Sequence, residues 1–104
     1  MGGVDGYMIL VQNDKGVVLN FNIKDENNLD VDLTGATIRL IWQNDIGKST
    51  KTCEITDAPN GVCRYVIQSG DLATVGKYDC EIEVDFGTTM LTTNRFSFKV
   101  RSEL

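Results

Sequence analysis

The chain has 104 residues, 41% of them hydrophobic and only one of them proline, so it is long enough to fold as one domain around its own core. Its formal net charge of −5 disfavours binding to nucleic acid or anionic membranes, because both are bound through clustered Lys and Arg. The absence of histidine excludes Ser-His and Cys-His catalysis and histidine-rich metal sites.

The two ends of the chain are expected to lie outside the folded domain. Residues 1–7 lack the basic end and apolar stretch of a secretory signal, so we expect a flexible arm or a leader ahead of Met8. The folded domain is predicted over residues 8–101, with a short tail at 102–104. No stretch approaches the roughly 18 apolar residues of a membrane-spanning helix.

The dominant hydrophobic period is two, which is typical of half-buried β-strands. In the second predicted strand, Leu19 and Phe21 alternate with Asn20 and Asn22. The same pattern predicts seven strands in all, over residues 8–12, 17–24, 37–43, 50–56, 62–68, 77–85 and 95–101. No segment shows a sustained helical period, so the predicted fold class is all-β.

Turn chemistry separates these strands. Polar or glycine-rich joints fall at residues 25–28, 57–61 and 87–89, and the last two are expected to close hairpins. Residues 69–74 are expected to form a single helical turn, capped by Ser69 or Asp71. About seven short antiparallel strands with regular turns indicate two sheets packed as an immunoglobulin-like β-sandwich.

A tyrosine corner is the most specific feature of the chain. Tyr78 lies two residues before Cys80 at the start of a strand, and its hydroxyl is expected to bond to the backbone of the preceding turn. Gly76 suits an entry into that strand with a positive φ. The predicted structural core comprises Trp42, Tyr78, Cys80, Phe96 and Phe98. Trp42 is also open to interpretation as a ligand platform, but its alternation with Ile38 and Leu40 favours the core.

The three cysteines are an odd number, which rules out a complete disulfide framework. Cys53 and Cys63 flank a hairpin turn and could face each other, whereas Cys80 has no cysteine partner in the second strand. Buried, reduced thiols are the favoured interpretation for all three. No C-x-x-C spacing occurs, so no metal or other cofactor is expected.

Two acidic groups are candidate sites. Asp25, Glu26, Asp30 and Asp32 gather oxygen atoms, but they lack calcium-loop spacing, and a solvated turn is favoured. The acidic ladder, which comprises Asp79, Glu81, Glu83 and Asp85, is predicted on the outer face of one strand. It is interpreted as a charged face paired with Arg95 and Lys99 across the sheet, or as a docking face for a basic partner. A flat strand offers no cleft for acid catalysis, so no catalytic residue is assigned.

Several aliphatic residues interrupt the alternation at positions that should face the solvent. Ile41, Val62 and Val66 are the main examples, and Val18 and Leu91 are further ones. If they gather into one patch, they mark an assembly surface. Together with the acidic ladder, the first three form the candidate interface.

The order of several phrases resembles the N-terminal immunoglobulin-like domain of the phage baseplate upper protein family. The phrases are Phe21–Glu26, Val31–Leu40, Ile55–Gly61, Asp71–Tyr78 and Phe96–Val100. The resemblance extends over about residues 8–101. It implies a non-enzymatic structural module of a phage or prophage tail baseplate, assembled in the bacterial host cytoplasm and located in the virion.

The partners implied by this resemblance are other tail or baseplate proteins, or further copies of the same chain. No nucleic acid, membrane or cofactor is implied. A carbohydrate- or receptor-binding adhesion module is the alternative, and it requires exposed aromatic side chains on loops or on a flat platform. Tyr7 is the obvious candidate for such a side chain.

Overall fold

The computed structural model describes residues 8–104 and confirms an all-β sandwich of two sheets. The predicted arm at residues 1–7, with Tyr7, lies outside the described residues. Nine strands are present in the described part of the chain: β1 (Met8–Val11), β2 (Val18–Asn22), β3 (Thr37–Asn44), β4 (Gly47–Thr52), β5 (Glu54–Asp57), β6 (Val62–Val66), β7 (Gly76–Asp85), β8 (Met90–Thr92) and β9 (Phe96–Arg101). Within residues 8–104, no helix is long and apolar enough to cross a membrane.

The larger sheet has six strands in the order β1-β9-β7-β3-β4, with β8 also paired to β7. Its centre is β7, which pairs antiparallel with β3 along one side and with β9 and then β8 along the other. The chain leaves the ladder between β8 and β9, where the buried Thr93 bridges the gap. The Ile82 N–H donates to Thr93 Oγ1 at 2.9 Å, and the Thr93 N–H donates to the Ile82 carbonyl at 2.9 Å. The short strands β9 and β8 therefore pair one after the other with the same side of the longer strand β7.

The smaller sheet has three strands in the order β2-β6-β5. A register shift between Ile55 and Asp57 marks a bulge in the β5–β6 pair. A short 3-10 turn at Ala58–Asn60 and Gly61 in the left-handed region join the two strands. The predicted hairpin at residues 57–61 is thus present, with a 3-10 turn inside it.

The predicted strand over residues 50–56 is wrong as a single element, because the chain changes sheets at Cys53. The Cys53 N–H still donates to the Ile38 carbonyl of the larger sheet at 2.8 Å. From Glu54 onward the chain pairs with β6 in the smaller sheet. Cys53 is buried at this corner, and the division accounts for one of the two strands beyond the predicted seven; β8 is the other.

The predicted helical turn at residues 69–74 is also wrong, since this segment forms consecutive turns. The Asp71 N–H donates to the Gln68 carbonyl at 3.1 Å, and the Asp71 carboxylate accepts the Gln68 N–H at 2.8 Å. This reciprocal pair satisfies the local backbone without a helix. Asp71 therefore stabilises the segment as a turn and not as a helix cap.

The core lies between the sheets and is centred on aromatic side chains. The Trp42 ring meets the rings of Tyr78 and Phe98 of its own sheet at 5.6 and 5.8 Å and that of Tyr65 of the other sheet at 6.1 Å. Trp42, Tyr78, Cys80 and Phe98 are all buried. Phe96, which was expected in the core, is only half-buried and packs against Phe21 at the margin, with ring centroids 5.7 Å apart.

The tyrosine corner is confirmed. The Tyr78 hydroxyl donates to the Thr74 carbonyl at 2.7 Å, and its ring is fully buried. Gly76 has a φ of +130°, as the strand entry requires. The turn before β7 is thereby fixed to the core.

Removing the corner hydroxyl is expected to destabilise the protein. Tyr78→Phe keeps the packed ring but leaves the Thr74 carbonyl without its donor, at a cost of about 1–3 kcal/mol. Urea unfolding of both proteins measures this difference. An unchanged midpoint would contradict the role assigned to the hydroxyl.

Substitution of Gly61 is expected to destabilise the protein, because its backbone has a positive φ and two carbonyl oxygens lie close to the position that a Cβ would occupy. Its φ is +70°, and a Cβ placed there would lie 2.6 Å from the Ile23 carbonyl oxygen and 2.9 Å from that of Val31. Gly61→Ala should therefore cost about 2–4 kcal/mol in unfolding free energy. Gly70→Ala is the matched control, since Gly70 has a φ of +89° with nothing within 4 Å. It should lose only the part due to backbone strain, and equal losses would rule out the clash.

Candidate docking site

The outer face of the six-stranded sheet brings the acidic ladder and Ile41 together. Side chains alternate along β7, so Asp79, Glu81, Glu83 and Asp85 point away from the core. Ile41 of β3 lies directly opposite Glu81 in the register and is half-buried. We call this surface, made by these four carboxylates and Ile41, the acidic face.

Cations on neighbouring strands neutralise much of the acidic face. Arg39 of β3 lies between two carboxylates, 3.8 Å from Glu83 and 3.1 Å from Asp85. The Gly87 N–H and then the Arg39 guanidinium hold the pKa of Asp85 below its ordinary value. The sequence analysis did not identify Arg39 as part of this face, although its alternation with Ile38 and Leu40 places it there.

The other end of the ladder is less firmly paired. Arg95 approaches Glu81 at 3.9 Å, as expected, but its side chain is 85% exposed. Lys77 lies 3.4 Å from Asp79, and both side chains are more than half exposed. Lys99, expected to pair with the ladder, lies opposite Lys77 in the register instead. Since exposed pairs contribute little, Asp79 and Glu81 are the carboxylates most open to a partner.

The aliphatic residues of the candidate interface do not form one patch. Val62 and Val66 lie on the outer face of the three-stranded sheet, where Val18 is directly opposite Val66. This face is on the other side of the core from Ile41. Leu91 lies on the inner face and packs against the core. The structure thus separates two surfaces that the sequence pattern could not distinguish.

The acidic turn after β2 is used by the backbone. The Asp25 carboxylate accepts the N–H groups of Asn27 and Leu29, and Asp32 accepts both the N–H and the hydroxyl of Thr34. Asp30 pairs with Lys24 at 2.7 Å. The contacts of Asp25 and Asp32 with backbone N–H groups are typical of Asx turns. Among residues 8–104 there is no group of three or more His, Cys, Asp or Glu side chains able to hold a metal ion.

The cysteines are buried and free. Cys53 and Cys63 lie side by side, and this interaction together with burial raises the pKa of the Cys53 thiol far above its ordinary value. Burial raises the pKa of Cys80 to about 12. The Cys53 and Cys80 thiols, held protonated in this way, are poor nucleophiles and poor metal ligands, whereas the hydrogen bond with Cys53 lowers the pKa of Cys63.

A polar cavity of about 200 Å³ lies beside the β3–β4 hairpin and the turns before β7. Asp71 is one of the residues that line it: the carboxylate accepts the Tyr65 hydroxyl and lies 3.1 Å from the Lys51 ammonium, which in turn sits 5.3 Å from the centre of the Trp42 ring. No buried side-chain polar atom in the described part of the chain lacks a partner. The buried polar atoms of this network therefore find their hydrogen-bond partners within the protein itself.

The aromatic side chains place a limit on the adhesion alternative. Over residues 9–104 every Phe, Tyr and Trp side chain is buried or half-buried, with Phe86 and Phe96 in the second group. Trp42 is 2% exposed and cannot act as a platform. The part of the chain that the structure describes has no fully exposed aromatic side chain of the kind that such a module requires.

Comparisons with known proteins agree with this architecture. The family described as the BppU N-terminal domain matches residues 5–104. The solved N-terminal domain of phage TP901-1 ORF48 is 19% identical, with a TM-score of 0.71, over 92% of this chain and 85% of that chain. A nucleoside hydrolase-related hypothetical protein from Saccharophagus degradans is 17% identical over 91% of this chain and 22% of that chain, but its TM-score is only 0.32. No curated protein matches the chain.

The Asp71 network predicts a pH dependence. Burial raises the pKa of Asp71, but the bonds from Tyr65, Gln68 and Lys51 outweigh it, and the net pKa is lowered. The charged form is thus favoured in the folded state, and its contribution is present above the unfolded pKa of about 3.9 and lost as the pH falls through the lower folded value. Asp71→Asn should cost about 1–2 kcal/mol at neutral pH.

The difference between wild type and Asp71→Asn should shrink as the pH falls below about 4. Urea unfolding between neutral and acidic pH measures it. Asp14→Asn, at an exposed loop position, is the control and should show no such change. If wild type remained more stable than Asp71→Asn by the same free energy at acidic pH, the stabilising role of the Asp71 carboxylate would be contradicted.

Proposed function

Since the chain belongs to the family of BppU N-terminal domains, which are structural domains of phage baseplates, we propose that it is a non-enzymatic assembly module that docks on other tail proteins. The module would assemble in the cytoplasm of the bacterial host and act in the virion. The observation that supports docking most directly is the acidic face, where a half-buried aliphatic side chain lies among carboxylates on the outer side of the sheet.

Rigidity favours this role. The face is carried by β3 and β7, whose inner side chains Ile38, Leu40, Trp42, Tyr78 and Ile82 are buried to 2% exposure or less. A close-packed core holds the outer side chains in a fixed arrangement, so binding requires little ordering of the surface. Docking as a preformed body is the mechanism that this architecture supports.

The acidic face favours a basic partner. Asp79 and Glu81 have only long or exposed ion pairs, and their neighbour Ile41 offers an apolar contact at the centre. Charges at such a rim mainly increase the rate of encounter and set orientation, whereas a desolvated aliphatic group contributes to affinity. The two kinds of group together form a small, oriented docking surface.

Charge reversal on the acidic face tests the proposal. The wild-type protein is co-expressed with candidate tail proteins encoded nearby, and complexes are measured by affinity capture and light scattering. Asp79→Lys/Glu81→Lys should retain the wild-type melting temperature, because both side chains are solvent-accessible. It should lose about tenfold or more in affinity, mainly through the association rate.

The control is Asp14→Lys/Glu26→Lys, which makes the same change in net charge at two exposed positions elsewhere. Its affinity should stay near that of wild type. Equal losses in the two double variants would show that net charge, and not this face, controls binding. A wild-type protein that captures no tail component at all would contradict the docking role.

A further inference from the structure

Within residues 8–104, one edge of the three-stranded sheet has backbone groups with no hydrogen-bond partner. The Ile67 N–H donates to the Val17 carbonyl at 2.8 Å, and the Ile23 N–H donates to the Gly61 carbonyl at 2.7 Å. Bonding positions alternate along an antiparallel ladder, so the odd-numbered residues of this segment face β6. The N–H and C=O groups of Val18, Asn20 and Asn22 therefore point away from β6, toward the open edge of β2.

The β2 edge lacks the features that protect the β4 and β5 edges of the sandwich. The outer edge of β4 carries Lys48 and Lys51, and β5 is four residues long, charged at both ends and bulged. Lysines, bulges and short strands prevent unwanted strand pairing. In contrast, Val18–Asn22 contains no charged residue, no proline and no bulge. It is a regular strand that is open to pairing.

The edge is also complementary to itself. In an antiparallel pair of two β2 strands centred on Asn20, Asn20 faces Asn20 of the second copy, and Val18 faces Asn22. The same register places Leu19 opposite Phe21 on the inner face, which extends the core across the junction. Because the edge carries no charge, two copies meet there without local repulsion despite the net charge of −5.

We propose that two copies of this chain associate through β2, so that their three-stranded sheets join as one six-stranded sheet across a two-fold axis. The half-buried Phe96, which packs against Phe21 beside this edge, becomes more deeply buried in the pair. This surface is separate from the acidic face, so the proposal does not depend on docking to other tail proteins.

The contact between the two β2 strands is small, so the dimer is expected to be weak. A pair of five-residue strands buries less than the area of about 1,200 Å² that is typical of stable complexes, so the dimer should be transient. It should appear as the concentration of the isolated protein rises from about 10 µM to about 1 mM. In a virion, where copies are held close together, the effective concentration would be higher.

Sedimentation velocity over that concentration range measures the association, starting from the 11.5 kDa monomer. Amide hydrogen exchange locates it: Val18, Asn20 and Asn22 exchange rapidly in the dilute monomer and should become protected as dimer forms. A protein that remains monomeric at about 1 mM overturns the proposal. So does a dimer that protects other amides and leaves these three unchanged.

Two variants test the edge itself. Asn20→Lys places like charges on the two-fold axis, and Asn20→Pro removes an N–H that makes no bond to β6, so both should fold and weaken dimerisation about tenfold or more. Thr50→Lys is the matched control, because Thr50 is exposed on the β4 edge. Its dimerisation should equal that of wild type. A dimer that survives both Asn20 variants, or is lost equally in Thr50→Lys, overturns the β2 assignment.

Discussion

The packing of Trp42 is the interaction on which the whole sandwich depends. Its ring touches Tyr78 and Phe98 of its own sheet and reaches Tyr65 of the other, so one side chain fixes the separation of the two layers. Aromatic rings of this size bury a large apolar area and prefer the edge-to-face geometry seen here. Because these aromatic contacts hold the two sheets together, the outer face of each sheet lies on the opposite side of the core from the other.

Asp71 secures the end of the sandwich next to that ring. It accepts a hydrogen bond from Tyr65 of the smaller sheet and pairs with Lys51 of the larger one. The same turn carries Thr74, whose carbonyl receives the Tyr78 hydroxyl. A segment without regular secondary structure is thus fixed to both layers by three polar contacts. The three cysteines are free and take no part in these contacts.

Alternation in the sequence predicts the strands well where each has one buried side. It identifies β2, β7 and β9 because their apolar residues recur every second position. It fails at Cys53, since a strand that changes sheets keeps the same period on both sides of the corner. It also fails at residues 69–74, where the carboxylate of Asp71 satisfies the backbone of a turn as readily as it would cap a helix. In both places the outcome depends on contacts with distant strands, which a local pattern does not contain.

The sequence pattern predicts the candidate docking surfaces less well than it predicts the strands. Alternation indicates that Ile41 and Val66 point outward, but only the strand order shows that they lie on opposite faces. Arg39 is recognisable as an outward residue, yet its pairing with Glu83 and Asp85 follows from the β3–β7 register.

Strand order also gives meaning to the uncharged sequence of β2. The same five residues in the centre of a sheet would need no protection, whereas at an edge their lack of charge leaves backbone groups open. The rigid core keeps this edge apart from the acidic face. Because the two proposed surfaces are separate, one would be available to a basic partner while the other contacts a second copy of the chain.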